Sequence, residues 1–354
     1  ENSPKAWATS AVIGGSPGAL EDIPAGNLEH VLINELLAHT DPPQLDFIEV
    51  FNSSPLNVNL AGCVLTDSPN LARFHIPLNT VLGPRQSVAF DEAQLGFALN
   101  AVGETVYLLN PAGTRVIDAV RFEGQANGIS SGRHPDGSAD WQALVLRTVG
   151  YPNAAPRVED IVINEIMYHP ISENDDDEYV ELHNRGLAVV EVGGWKFSDG
   201  IDFTLPASLA IGPGGYLVVA KNALRLLTNH PGLPSGLVVG NYGGELSNQG
   251  ERVALSKPDT ILKTNLVTGA VVTNKFFIVV DEVEYGEGGR WGRWSDGGGS
   301  SLELTDARAD NRRAANWADS DESAKSSWTT VEKTDAMTFN HPAVASIDQL
   351  HFFL

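Results

Sequence analysis

The residues best suited to bind a ligand are the carboxylates of residues 173–178 (ENDDDE). Calcium takes roughly six to eight oxygen ligands, and a flexible loop rich in carboxylates and carbonyls can supply them. Glu165 and Glu181 lie on the two strands that this loop is predicted to join, so either could reach a cation held by Asp175 or Asp177. The sequence therefore predicts a calcium site formed by Glu165, Asp175, Asp177 and Glu181.

The alternative is a charged hairpin tip that is exposed to water and holds no metal. The spacing is not that of an EF-hand loop, and no glycine supports a tight coordination turn. The two strands also occur in a similar form earlier in the sequence, beside a loop with fewer acidic residues. There Glu35 and Glu49 occupy the positions of Glu165 and Glu181. Glutamates retained without the acidic loop indicate a structural role, such as accepting hydrogen bonds from backbone N–H groups at the sheet edge.

Other polar features also have structural interpretations. Asn34 and Asn164 hold matching positions and are expected to hydrogen-bond to a neighbouring turn. The run at residues 306–313 (DARADNRR) offers carboxylates for a second cation. Its interleaved arginines favour internal ion pairs instead.

Trp291 and Trp294 form the candidate ligand-binding pair, with Tyr285 nearby and arginines between them. Tryptophans beside polar groups can form a platform on which a sugar stacks. If this stretch is a strand, two residues three apart point to opposite faces, and at least one ring is then part of the core. Both interpretations remain open from the sequence.

No combination of residues indicates catalysis. The chain has no Gly-x-Ser-x-Gly elbow, and its nine histidines are scattered without a zinc-binding pair. The glycine-rich stretches near the tryptophans lack the lysine and the strand–loop–helix context of a phosphate loop. The sequence therefore predicts a protein that is not an enzyme.

The elements that carry these residues occur twice, about 130 residues apart. Two copies in one order indicate two homologous domains rather than one large one. Short apolar runs, bounded by many of the 35 Gly and 20 Pro residues, favour antiparallel sandwiches. The matched segments are 31–36 (VLINEL) with 161–166 (IVINEI), 47–52 (FIEVFN) with 179–184 (YVELHN), and 61–67 (AGCVLTD) with 193–199 (GGWKFSD).

The second copy differs from the first by two insertions. Residues 222–242 include ALRLL at 223–227, which predicts one or two helical turns. Residues 260–277 are expected to lengthen a hairpin. The predicted fold class is thus all-β, with two antiparallel sandwiches in tandem and short irregular or helical insertions in the second.

Residues 158–304 resemble the lamin tail domain, through INEI at 163–166, the acidic loop, EYVELHN at 178–184, GWKFSD at 194–199, FTLP at 203–206 and IGPGGYLVV at 211–219. Residues 28–150 are similar to the same family, with Gly62-Cys63 in place of Gly-Trp. The resemblance implies an immunoglobulin-like fold and a non-catalytic interaction or scaffold module, of a family that also occurs in large secreted bacterial proteins. Partners of the nuclear lamin version include nucleic acid and proteins.

The ends resemble pieces of neighbouring modules, which favours a fragment of a longer array. The predicted organisation is the end of a preceding module or a linker (1–27), a first sandwich (28–150), a linker (151–157), a second sandwich with insertions and an extension (158–334), and the start of a following β module (335–354).

The net charge of −22 argues against nucleic acid as a partner, because such a surface repels phosphate. No apolar run approaches the length of a membrane span. We therefore expect a structural or adhesive module of a secreted or cell-surface bacterial protein, assisted by calcium, whose partners are other protein modules of the same or neighbouring chains. The alternative is a polysaccharide-binding or substrate-targeting module of a secreted hydrolase.

Overall fold

A computed structural model describes residues 27–264 and 271–320, with residues 15, 17–18, 331–332 and 351–352 besides. The predicted flanking segments 1–27 and 335–354 lie almost wholly outside the described residues. The described chain forms two compact units. The first contains the residues up to Glu159 together with Ser256–Val279, and the second contains Asp160–Leu255 and the residues from Val280 onwards.

The first unit is built from two main antiparallel sheets. Its strands are β1 (Val31–Leu37), β2 (Phe47–Asn52), β3 (Val58–Asn59), β4 (Val64–Thr66), β5 (Phe74–His75), β6 (Val81–Leu82), β7 (Ser87–Asp91), β8 (Gly103–Leu109), β9 (Val116–Glu123), β10 (Ser131–Arg133) and β11 (Trp141–Ala143). One sheet has the order β11-β10-β1-β2-β7 and the other β5-β4-β8-β9, while β3 pairs with β6.

Apolar side chains from both sheets of the first unit form one core, which includes Ile33, Val50, Leu65, Val106 and Val120. Alternation along the strands produces this core, because every second side chain points to the same face. A 3₁₀ helix precedes β1 (Asn27–His30), and helix α1 (Glu92–Leu95) follows β7 with Asp91 and Gln94 forming a capping box.

The second unit repeats this plan with a larger sheet. Its strands are β12 (Ile161–Met167), β13 (Tyr179–Asn184), β14 (Val190–Glu191), β15 (Lys196–Asp199), β16 (Ala210–Ile211), β17 (Tyr216–Ala220), β18 (Val238–Gly240), β19 (Arg252–Thr264), β20 (Val271–Glu284), β21 (Leu302–Leu304) and β22 (Trp317–Asp319). Of these, β19 and β20 also extend into the first unit, to which Ser256–Val279 belongs. The large sheet has the order β18-β17-β13-β12-β21-β22, the second sheet β15-β19-β20, and β14 pairs with β16. The pair β17–β18 is parallel.

The second unit has its own core, which includes Ile163, Val180, Phe197, Val253 and Tyr285. Helix α2 (Ala223–Asn229) and the long strands β19 and β20 confirm the helical insertion and the lengthened hairpin. The remaining elements are 3₁₀ helices at Asp175–Asp177, Ser235–Leu237 and Ala314–Asn316, and an antiparallel pair of β23 (Val331–Glu332) with β24 (His351–Phe352).

Gly103 and Gly250 show how closely the two units repeat each other. Each opens a matching segment with a positive φ, 112° and 92°, which L side chains rarely adopt. A Cβ atom at either position would lie within 2.7 Å of a carbonyl oxygen, that of Phe122 or of Tyr285. Both turns therefore require glycine.

The architecture confirms the predicted all-β fold with tandem sandwiches. Among the helices of the described residues, none is long and apolar enough to cross a membrane. The predicted domain bounds remain a prediction.

Candidate functional site

The acidic segment forms a short 3₁₀ helix, Asp175–Asp177, between β12 and β13. The side chain of Asn174 begins this helix by accepting a hydrogen bond from the backbone N–H of Asp176 at 3.0 Å. Successive residues of a 3₁₀ helix point about 120° apart, so the neighbouring carboxylates face different surroundings. This geometry separates the carboxylates rather than converging them.

Asp177 holds the insertion helix α2. Its two oxygens accept a bidentate pair from Arg225, at 2.6 Å from Nε and 2.7 Å from Nη2. Asn229 and Ser172 donate further hydrogen bonds to the same carboxylate. The hydrogen bond from Arg225 is the main cause that lowers the pKa of Asp177. The carboxylate is therefore engaged by protein groups.

Glu178 and Asp176 hold the rest of the insertion. Glu178 is buried and accepts hydrogen bonds from the Tyr242 hydroxyl at 2.9 Å and the Leu246 N–H at 3.0 Å. Burial raises the pKa of Glu178, and these hydrogen bonds oppose the rise. Asp176 accepts a hydrogen bond from Asn222, the residue that precedes α2. The acidic segment thus attaches the second unit's insertion to its central strands.

Glu165 and Glu181 lie directly opposite each other on β12 and β13. Glu165 accepts hydrogen bonds from the hydroxyls of Tyr179 and Ser301. Glu181 accepts one from Asn164 at 3.0 Å. Burial, with the charge of Glu165 as a second cause, raises the pKa of Glu181 to about 7. The pKa of Glu181 therefore lies near neutral pH, chiefly because burial disfavours its charged form.

The structure does not bring the four predicted calcium ligands into one group. Asp175 is exposed, and within the described parts of the chain no three His, Cys, Asp or Glu side chains lie close enough together to hold a metal ion. The calcium site formed by Glu165, Asp175, Asp177 and Glu181 stays a prediction.

The matching glutamates of the first unit, Glu35 and Glu49, are completely buried and also lie directly opposite each other. Glu35 accepts hydrogen bonds from the N–H of Thr148 at 3.0 Å and from the hydroxyl of Ser130 at 2.6 Å. Glu49 accepts one from the N–H of Gly150 at 2.6 Å. The predicted capping of backbone N–H groups is confirmed for this pair.

Asn34 and Asn164 differ in their partners. Asn34 donates to the carboxylate of Asp136 and accepts from the N–H of Gly137, so the predicted bond to a neighbouring turn is confirmed. For Asn164 the prediction was wrong, because its amide donates to Glu181 on the adjacent strand. The register shifts at this position in both units, and Asn34 likewise interacts with its cross-strand carboxyl, Glu49, so the two asparagines differ in the turn that Asn34 also contacts.

Asp118 and Asp281 are matching residues whose role the sequence did not reveal. Asp118 on β9 accepts the N–H of Ile33 at 2.8 Å, and Asp281 on β20 accepts the N–H of Ile163 at 2.6 Å. Each carboxylate thereby joins the two sheets of its sandwich beside the bulge. Burial raises the pKa of both, that of Asp281 to about 7. Each aspartate directly follows a matching apolar pair, Val-Ile at 116–117 or Val-Val at 279–280. This shared position was the signal in the sequence that could have identified them.

Trp291 and Trp294 lie in a loop, so the strand alternation assumed for them does not apply. The glycines around them explain the loop, since glycine disfavours a strand. Trp291 is partly buried against the second core, with its ring centroid 6.4 Å from that of Trp317. The Arg293 guanidinium lies 5.8 Å from the ring centroid of the half-buried Trp294. Both rings are therefore only partly accessible to a ligand, and the predicted ligand-binding role stays a prediction.

The predicted ion pairs in residues 306–313 are present, because Asp310 binds both Arg312 and Arg313. The same carboxylate has a lowered pKa, although burial opposes the effect of the arginines. This segment is therefore held internally.

Comparison with known proteins identifies the family. The family model of the lamin tail domain matches residues 24–124 and 154–287. A search of curated proteins finds no match. A similar solved structure is that of a DUF4876 family protein from Bacteroides thetaiotaomicron, with 11% identity, coverage of 82% of this chain and 92% of that chain, and a TM-score of 0.28, which is too low to support an argument. Since the family model matches well over half of the sequence in two separate segments, the chain belongs to the lamin tail domain family and carries two such domains in tandem.

Proposed function

We propose that the chain is a non-catalytic structural or adhesive module of an extracellular bacterial protein, which mediates protein–protein or surface assembly. The observation that carries this proposal is the family match over two segments, since the lamin tail domain is a non-catalytic, immunoglobulin-like interaction module. The two separate cores support it, because each domain then acts as a rigid unit.

The carboxylates described above support the same function. Those of Glu35, Glu49, Asp118, Asp177 and Asp281 accept hydrogen bonds from strands, loops or the insertion helix. They stabilise the fold rather than converge around an open space in which a substrate could react. A scaffold is consistent with this arrangement, whereas a hydrolase would need a nucleophile, a base and an orienting group in contact.

The negative charge makes assembly dependent on cations. A surface with a net charge of −22 repels a second copy of itself, and divalent cations or salt weaken this repulsion. The carboxylates of Asp175 and Glu303 are exposed to solvent, where a bridging cation would contact them. Calcium would then act between molecules.

Sedimentation velocity of the full chain with calcium chloride, and with chelator in its place, tests this function. We expect larger species with calcium, reversal by the chelator, and a smaller response in a variant that combines Asp175→Asn with Glu303→Gln. Identical sedimentation under both conditions would reject cation-assisted assembly. Fractionation of the source cells, followed by immunodetection, checks the extracellular location, and recovery from the cytoplasm alone would overturn it.

A carbohydrate-binding or substrate-targeting module of a secreted hydrolase is the second candidate. Its support is Trp294, a half-buried ring with an arginine beside it, because aromatic rings next to polar groups can stack on sugars. A glycan array with wild type and Trp294→Ala distinguishes the two functions. Retained glycans that the variant loses would favour targeting, and an empty array would favour the scaffold.

A further inference from the structure

A cleft of about 320 Å³ opens on the first unit, at the outer face of the five-stranded sheet. Val50 points into the core, so the next residue of β2, Phe51, points to the opposite face. Phe51 lies directly opposite Ser87 of β7, and both residues line the cleft. Arg85, Gln86, Asp136 and Tyr151 also line it.

The second unit shows why this space is open. The register that pairs Phe51 with Ser87 pairs His183 with Tyr216 in the second unit. The rings of His183 and Tyr216 are stacked, with their centroids 4.3 Å apart. Serine in place of this tyrosine removes a ring from the face of the first sheet. The cleft is therefore a specific difference between two otherwise matching strand pairs.

Arg85 is a second difference at the same place. It has a φ of 56°, in the left-handed region that favours glycine, and the matching residue of the second unit is Gly214 with a φ of 66°. In the described residues the guanidinium of Arg85 has no ion-pair or hydrogen-bond partner. A long cationic side chain thus occupies a backbone position suited to glycine and remains available at the cleft. Residues in such conformations occur most often at binding and active sites.

A buried carboxyl lies behind the wall of the cleft. Gly150 lines the cleft, and its N–H donates to Oε2 of Glu49 at 2.6 Å. The other oxygen, Oε1, is buried and lacks a well-aligned hydrogen bond among the described residues, although the side chains of Ser87 and Asn34, which line the cleft, interact with this carboxyl. Buried carboxyl oxygens are nearly always hydrogen-bonded to protein, to water or to a ligand.

The chemistry of the cleft selects its ligand. Tyr151 is 75% exposed and offers an apolar ring face, while Arg85, Gln86 and Asp136 surround the space with planar polar groups. An anion is disfavoured by the net charge of −22, and a cation by the guanidinium at the rim. The volume lies near the lower end of small-molecule pockets, which span roughly 300–1,000 Å³. We propose that this cleft binds one or two rings of a neutral saccharide, a role that does not depend on the scaffold function.

The test is ligand-observed saturation-transfer NMR on the full chain. The probes are glucose, galactose, mannose, N-acetylglucosamine, cellobiose and lactose, each at millimolar concentration. We expect saturation transfer to at least one probe. Two variants test whether the probe binds in the cleft. Ser87→Tyr fills the cleft with the residue found at this position in the second unit. Arg85→Gly removes the guanidinium and leaves a residue suited to the backbone conformation.

Each variant is expected to weaken binding by about tenfold or more, equivalent to about 1.4 kcal/mol of lost contact. Thermal unfolding confirms that both variants fold, and Arg85→Gly remains informative if Ser87→Tyr does not. The control is Leu187→Ser at an exposed position of the second unit, which should bind like wild type, while Trp294→Ala reports whether a saccharide binds at the tryptophan instead. Absence of transfer from every probe, or transfer that persists in both variants, or loss in Trp294→Ala alone, would overturn the proposal.

Discussion

The paired glutamates of the two units have the same strand positions and the same register but different surroundings. In the first unit Glu35 and Glu49 are completely buried beneath residues 148–150, which donate backbone N–H groups to them. In the second unit, the partners found among the described residues for Glu165 and Glu181 are side-chain hydroxyl and amide groups, and both glutamates are partly exposed. The strand sequence therefore determines where a carboxylate lies. Segments distant in the sequence determine its electrostatic environment and its hydrogen-bond partners.

The two sheet-joining aspartates give the largest expected effect. Asp118→Ala should destabilise the first unit by about 3–5 kcal/mol, because it leaves Arg133, its largely buried ion-pair partner at 3.1 Å, without a counter-charge. Asp281→Ala should cost the second unit about 1–3 kcal/mol, since it leaves the Ile163 N–H and the Asn311 amide unpaired and removes a carboxyl whose charge interacts with Arg185 at longer range. Hydrogen–deuterium exchange in increasing urea measures each unit separately. Equal losses of stability in the two variants would show that the ion pair with Arg133 does not make Asp118 more important than Asp281.

Glu49 makes stability depend on pH. Burial raises its pKa from 4.5 to about 7 in the folded protein, so between these values the folded state holds a proton that the unfolded state has released. Stability from this group is therefore greatest below pH 4.5, falls as the pH rises to 7, and is constant above, by roughly 3 kcal/mol in total. Because glutamine imitates the protonated form, Glu49→Gln should be slightly more stable than wild type at pH 5 and clearly more stable at pH 8.

Urea titrations at several pH values measure this difference between variant and wild type. Taking the difference removes the contributions of Glu181 and Asp281, whose pKa values are also raised to about 7. Glu35→Gln at the opposing position is the control for the loss of one charge. A variant that is no more stable at pH 8 than at pH 5, relative to wild type, would contradict the prediction.

The sequence predicts what depends on local pattern and repetition. The duplication, the strand-rich fold, the short helix α2 and the long hairpin were all visible in motifs and spacing. The role of Glu35 and Glu49 followed from a comparison of the two copies. Internal duplication thus carried information that a single copy would not have given.

What the sequence could not predict depends on contacts between distant residues. Asp177 and Arg225 are 48 residues apart, and no periodicity links an acidic loop to one helix of an insertion. The interpretation of Trp291 and Trp294 assumed a strand where the chain forms a loop. The cleft of the first unit arises from Ser87 in place of a tyrosine, a difference whose effect appears only once the register and the covering residues are known.

Substitution of Asp177 tests whether the acidic loop of the second unit, unlike the matching loop of the first unit, holds α2 in place. Asp177→Ala should lower the unfolding temperature of the second unit by roughly 2–4 °C, because the bidentate pair with Arg225 and the Asn229 hydrogen bond are lost. Asp175→Ala is the matched control, since Asp175 is exposed and should be neutral. Differential scanning calorimetry, repeated with calcium and with chelator, measures both. Equal shifts in the two variants would argue against a specific attachment, and a calcium-dependent rise that both variants lose would support the predicted metal site instead.

Substitution of Gly214 tests the smallest difference between the units. This difference is the free-energy cost of the left-handed backbone conformation that Arg85 adopts in the first unit. A Cβ atom at Gly214 would contact no atom within 4 Å, so Gly214→Ala changes only the preference for a φ of 66°. The expected cost is about 1 kcal/mol, because L residues disfavour the left-handed region. Arg85→Gly should recover a similar amount from the relaxed backbone and lose about as much through the more flexible unfolded chain, leaving stability nearly unchanged. Urea unfolding followed by hydrogen exchange in each unit measures the stability of both variants. A Gly214→Ala variant as stable as wild type would mean that this turn accepts side chains readily. The conformation of Arg85 would then need no functional explanation.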